Sequence, residues 1–169
     1  MIKVKICGNR SIEDLQAARF ADAVGFILAT PESSRNISEY TAESLFKYLL
    51  PFQSSVLVTT ETSKDKLKQL ASKFKPDYLQ IHSELSGSEL SEIRKEVPGE
   101  VGIITLLSVG NDFQETLEKA RSLKKLSISA ILLDSYSEDS KGGTGKTHDW
   151  ELSRKIRDFV YPKPVILAG

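Results

Sequence analysis

Short runs rich in β-branched and apolar residues alternate with longer amphipathic stretches along the whole chain, and no other feature restricts its fold so strongly. The strand candidates are Ile2–Ile6, Ala23–Leu28, Ser55–Thr59, Asp77–His82, Val101–Leu107, Ile128–Asp134 and Pro164–Ala168. Between them the spacing predicts helices over Ile12–Phe20, Glu39–Leu50, Lys64–Phe74, a stretch opened by Ser86 or Ser88 and stopped before Pro98-Gly99, Asp112–Lys125, and Asp149–Phe159. Start and stop signals agree with these limits. Ser11-Ile12-Glu13-Asp14 reads as a capping box, Ser38 and Ser63 as caps, and Pro51 and Lys75-Pro76 as terminators.

A strand followed by a helix and a further strand returns in parallel, so this order builds a parallel sheet with helices outside it. Two closures compete. An open doubly wound sheet carries a glycine-rich phosphate turn after its first strand, and Cys7-Gly8-Asn9-Arg10 is not one. A (β/α)8 barrel of the TIM type places its reactive residues at the C-terminal ends of several strands. Cys7, His82 and Asp134 each hold such an end, which favours the barrel. The pattern yields only seven strands and six helices, and a full barrel takes roughly 200 residues or more. The expectation is therefore one domain, 1–169, of barrel type, truncated within the seventh β/α unit, with the C-terminal unit or units missing.

Within the first strand, alternation sends Ile2, Val4 and Ile6 to one face and Lys3, Lys5 and Cys7 to the other. An apolar face toward helices and a polar face toward a barrel interior suit a strand that delivers a reactive group. Lys and Arg balance Asp and Glu at 23 each, which argues against a nucleic-acid or membrane-surface protein. The single cysteine forms no internal disulfide, and no Cys/His spacing suggests a structural metal. Nothing is apolar enough to span a bilayer or to act as a signal peptide, so the expected location is the cytoplasm.

Several segments, in order, resemble the phosphoribosylanthranilate isomerase family of tryptophan biosynthesis. They are Lys5-Ile6-Cys7-Gly8, Ala21–Ile27, Ser34-Arg35-Asn36-Ile37-Ser38, Gln80-Ile81-His82, Leu132-Leu133-Asp134, Gly142-Gly143-Thr144-Gly145 with Asp149-Trp150, and Leu167-Ala168-Gly169. Ser83 stands where the family usually has glycine and His148 where it has phenylalanine, and the third strand lacks the usual Phe and Asn. The second glycine of the seventh-strand motif and the eighth unit, which in this family hold most of the phosphate site, are not in the sequence.

The resemblance implies an Amadori rearrangement of an aminoaldose phosphosugar to an aminoketose, a reaction without a redox step that needs no cofactor and no metal. It further implies Cys7 as general base, Asp134 as general acid and Arg35 as a bidentate anchor for the anthranilate carboxylate. Gly142 and Gly143 would belong to a lid over the sugar phosphate, and Gly169 to the phosphate-binding end. Read from the residues alone, Cys7 also fits a buried small hydrophobe, Asp134 a turn aspartate and Arg35 a solvated surface side chain. His82 stays open between pocket lining and a hydrogen-bonded barrel histidine without a chemical task. The loop Pro31–Asn36 is long and polar, as a mobile covering segment would be. Two rival readings remain: Ser140–Thr147 nearly matches a nucleotide-binding P-loop, failing at its first glycine, and the chain fits an inactive partial barrel that needs a complementary segment.

Overall fold

The computed structural model describes residues 2–109, 113–135 and 150–168. Seven parallel strands form one sheet in strictly sequential order: β1 Lys5–Cys7, β2 Ala23–Ile27, β3 Ser54–Thr59, β4 Tyr78–Ile81, β5 Gly102–Val109, β6 Ala130–Ser135 and β7 Val165–Leu167. The helices between them are α1 Ile12–Ala17, α2 Glu39–Leu45, α3 Lys64–Phe74, α4 Gly87–Glu96, α5 Phe113–Lys124 and α6 Trp150–Val160.

The sheet curls. In a flat sheet β1 and β4 would lie about 14 Å apart with side chains standing off the plane. Yet Lys5 Nζ donates to Gln80 Oε1 at 2.6 Å. The ladder row Cys7–Gly25–Val56–Tyr78 leaves Gln80 well beyond Lys5 along the strand direction. Only strands tilted around a common axis bring residues so offset into contact. The arrangement is that of a TIM-barrel-type α/β fold.

Two apolar layers follow from the alternation. Outward residues such as Val24, Phe26, Leu57, Leu79, Ile103, Ile131 and Leu133 pack against the helices. Inward residues Ile27, Val56, Val58, Ile104, Ala130 and Leu132 make a smaller cluster, with Cys7, Tyr78, Leu106 and Ile166 against it. In α3, Leu67, Leu70, Ala71 and Phe74 are buried at helical spacing, and the helix stops as expected at Lys75, which adopts φ 44° before Pro76. The capping box of α4 is complete: Ser86 takes the Glu89 amide and the Glu89 side chain takes that of Ser86.

Several limits differ from expectation, each for a local reason. Pairing in β1 begins at Lys5, because the Asp22 carboxylate accepts the Val4 amide at 2.8 Å and Lys3 Nζ at 2.6 Å. Helix α1 ends at Ala17, and Phe20 is exposed, so nothing holds a further turn. Helix α2 ends at Leu45 and tightens into a turn over Phe46–Tyr48. That turn stacks Phe46 between Phe26 and Phe74, with ring centroids 4.9 and 5.6 Å away. Ser11 caps α1, but Asp14 returns to the Arg10 amide rather than to the cap residue. Ser63 makes no capping bond with its side chain; Glu61 accepts the Thr62 and Ser63 amides instead. The apolar side of the first strand is not covered by helices: Ile2, Val4 and Ile6 are 89%, 52% and 43% exposed. The helix that follows, α1, buries Leu15 against the core that includes Val24 and Phe26 of β2.

Candidate active site

Three strands deliver side chains to the inner face at the C-terminal mouth of the sheet. Cys7 closes β1 and is a free, half-buried thiol. Its room comes from Gly25, its ladder neighbour on β2, where any Cβ would lie 3.0 Å from the Cys7 sulfur. Directly after Cys7 the chain turns at Gly8 with φ 84°, a conformation that favours glycine. Asn9 is buried and holds this turn, its Nδ2 donating to the carbonyls of Ile6 and Gly25.

Arg35 lies over the same turn. Its Nη1 donates to the Cys7 carbonyl at 3.3 Å, and its Cδ would meet a Cβ on Gly8 at 2.7 Å. Arg35 as a residue is exposed. The loop carrying it is pinned at its base: Asn36 pairs with Ile27, and its side chain accepts the Thr30 amide. Sequence reading brings Cys7 and Arg35 to this mouth, and the structure places them side by side.

Asp134 lies on the inward side of β6, in alternation with Ala130 and Leu132. Its Oδ2 is 3.5 Å from His82 Nε2, which projects from the residue just after β4. Behind His82, its Nδ1 lies 3.4 Å from Gln80 Nε2, and Gln80 in turn takes the Lys5 ammonium. Burial pushes the Lys5 pKa down; Cys7 opposes that and Arg35 adds to it. Burial likewise lowers the His82 pKa against the pull of Asp134, with Lys5 reinforcing the drop. The mouth therefore combines a thiol, a carboxyl, an imidazole whose burial disfavours its charged form, and two basic side chains, a set suited to moving protons on a small anionic substrate.

Gly142, Gly143 and Gly169, with the P-loop-like run at 140–147, lie outside the described residues. Among the described residues no group of three or more His, Cys, Asp or Glu side chains is placed to hold a metal ion, and no helix is long and apolar enough to cross a membrane. A depression of about 450 Å³ opens at the opposite end of the strands, lined by Asp77, Tyr78, Arg94 and Gly102 among others. Two of its charged groups serve the fold: Asp77 accepts from the Ser55 amide and hydroxyl, and Arg94 holds the Val97, Pro98 and Val101 carbonyls. Sequence reading passed over Gly25 and Asn9. Gln80, on the same strand face as His82, carried the available signal for the link to Lys5.

Comparison with known proteins agrees with this arrangement. A family model described as N-(5'-phosphoribosyl)anthranilate isomerase matches residues 4–169. The N-(5'-phosphoribosyl)anthranilate isomerase 1 of Methanosarcina mazei is 39% identical over 180 aligned positions, covering 99% of this chain and 76% of that protein. The Haloferax volcanii isomerase is 38% identical, covering 100% of this chain and 73% of its own length. Among solved structures, the phosphoribosyl anthranilate isomerase of Thermotoga maritima superimposes with a TM-score of 0.75 at 28% identity, covering 99% of this chain and 87% of that one. A model match running almost from end to end, over a sequential curled sheet with a thiol and a carboxyl at its mouth, leaves one conclusion: the chain belongs to the N-(5'-phosphoribosyl)anthranilate isomerase family.

Proposed function

We propose that this chain isomerises N-(5-phosphoribosyl)anthranilate to 1-(2-carboxyphenylamino)-1-deoxyribulose 5-phosphate, a step of tryptophan biosynthesis carried out in the cytoplasm, with Cys7 as base and Asp134 as acid. The observation that carries the residue roles is that both groups occupy the inner face at the C-terminal ends of β1 and β6. Asp134, protonated, gives its proton to the furanose ring oxygen as the C1–O bond breaks and the anthranilate nitrogen supplies its electron pair to C1. The product of that step is an open-chain iminium with a new hydroxyl at C4. The Cys7 thiolate then removes the proton at C2, and the C2–H electrons form the C1–C2 double bond of an enolamine. Loss of the enol proton and protonation at C1 give the ketone. Asp134 ends as carboxylate and Cys7 as thiol, and exchange with solvent restores both.

Arg35, held over Gly8 beside the thiol, is assigned to the anthranilate carboxylate, for which a planar fork of donors is the fitting partner. His82 belongs to the same proton-handling cluster through its contact with Asp134.

The test is turnover followed by the fluorescence of the aminoaryl group. Cys7→Ala and Asp134→Asn are each expected to lower kcat by about 10³-fold or more, because each removes a proton-transfer partner. Near-normal turnover in either variant removes that residue from the mechanism.

A further inference from the structure

We propose that Lys5, acting through the Gln80 amide, fixes which ring nitrogen of His82 carries the proton and so keeps an N–H donor facing Asp134. The catalytic consequence rests on Asp134 being the acid; the relay itself does not.

Donors and acceptors along the chain of groups decide where the proton sits. An ammonium has three donors and no acceptor, so Lys5 Nζ, 2.6 Å from the Gln80 amide, must face its carbonyl oxygen. That fixes the amide orientation, which would otherwise be ambiguous between oxygen and nitrogen. The NH₂ end is then the one turned toward His82, 3.4 Å from Nδ1. Two donors do not pair, so Nδ1 presents its lone pair. A neutral imidazole with a bare Nδ1 carries its hydrogen on Nε2, the atom 3.5 Å from Asp134 Oδ2. Desolvation, which depresses the His82 pKa, favours the same neutral ring. The two inner distances are long for hydrogen bonds, so both contacts are weak as they stand and act by orientation.

The chain of groups runs across the curled sheet from β1 through β4 to β6. Its role follows from when the donor matters. While Asp134 is protonated, Nε2–H offers it little. Once the proton has passed to the sugar oxygen, the new carboxylate has a donor already aimed at it, and the anion is stabilised without reorganisation. Lys5 is on this reading a positioning residue. Its charge orients an amide, and Cys7, Arg35, Gln80 and His82 are the polar groups it senses.

The experiment is long-range ¹H–¹⁵N correlation of the imidazole nitrogens in protein labelled at histidine. The chain has 2 histidines, so His148→Gln leaves His82 as the only signal. His82 is expected as the neutral Nε2–H tautomer at about pH 7 and above. Gln80→Glu, which puts an acceptor against Nδ1, should convert the ring to the Nδ1–H form or to imidazolium. Lys5→Met should give a mixture of tautomers. In both variants kcat should fall about tenfold while KM changes by less than about twofold. A wild-type ring protonated on Nδ1 overturns the proposal without recourse to any site variant. So does a His82 spectrum indifferent to both substitutions in folded protein. If the tautomer responds as expected while Asp134→Asn remains active, the relay stands and the assignment of the acid fails.

Discussion

Replacing Gly25 by alanine isolates the space reserved for the thiol. Gly25 does not adopt a left-handed φ, so its backbone accepts a side chain, and the nearest obstacles are all atoms of Cys7. The added Cβ would stand 3.0 Å from the Cys7 sulfur, 3.2 Å from its Cα and 3.4 Å from its Cβ. One of these neighbours must give by a few tenths of an ångström, and the thiol, at the end of a rotatable bond, gives first. Overpacking of this kind costs about 1–3 kcal/mol. The reduced freedom of the unfolded chain on replacing glycine returns about 0.4–1 kcal/mol, leaving a net loss near 1 kcal/mol. Turnover should suffer as well: a misplacement of about 1 Å loses about 10²-fold in rate, so a few tenths of an ångström should cost a few-fold. The expected signature is a few-fold fall in kcat, read by the substrate's fluorescence, beside a small shift in the urea midpoint. In a Cys7→Ala background the sulfur is gone, so the stability cost of Gly25→Ala should shrink. Wild-type turnover in Gly25→Ala, or an equal stability cost in both backgrounds, refutes the reasoning.

Gly8→Ala should act on binding instead: the new Cβ collides with Arg35 at 2.7 Å and the backbone sits at φ 84°, so KM should rise about tenfold, measured by steady-state kinetics. Arg94→Ala should destabilise the fold by about 2–4 kcal/mol in urea unfolding, because three carbonyls at the end of α4 lose their donor, and lysine should restore only part of it. For His82, burial lowers the native pKa below its ordinary value of 6.5, so below that pH the unfolded chain takes up a proton that the native state refuses. Its contribution to stability is thus fully present above pH 6.5 and diminishes as the pH falls toward the native pKa; His82→Gln should flatten that part of a Tm-against-pH curve.

The alternation of elements was readable because parallel strands covered on both faces become near-continuous apolar runs, as in Val56-Leu57-Val58 and Ile131-Leu132-Leu133. Their ends were less readable, since a long-range partner decides them. Asp22 replaces a ladder partner for Val4, and Phe46 leaves its helix to stack on rings from β2 and α3. The same division holds at the mouth. Cys7, His82 and Asp134 announced themselves by standing at strand ends. The role of Gly25 depends on register, which puts it opposite Cys7, and the Lys5–Gln80 bond on the tilt of the strands. Neither quantity is written in local periodicity, although Gln80, two residues before His82, already pointed inward with it.

The shortness of β1 has a consequence for how activity is lost. Among the described residues this strand pairs with β2 through three positions, while β5 and β6 share six. Its outward Val4 and Ile6 are half in solvent, so little apolar burial holds it down. The thiol and the lysine thus ride on a segment that frays more cheaply than the centre of the sheet. Amide exchange at Ile6 should outpace that at Leu132, and mild denaturant should silence turnover well before the bulk of the sheet lets go.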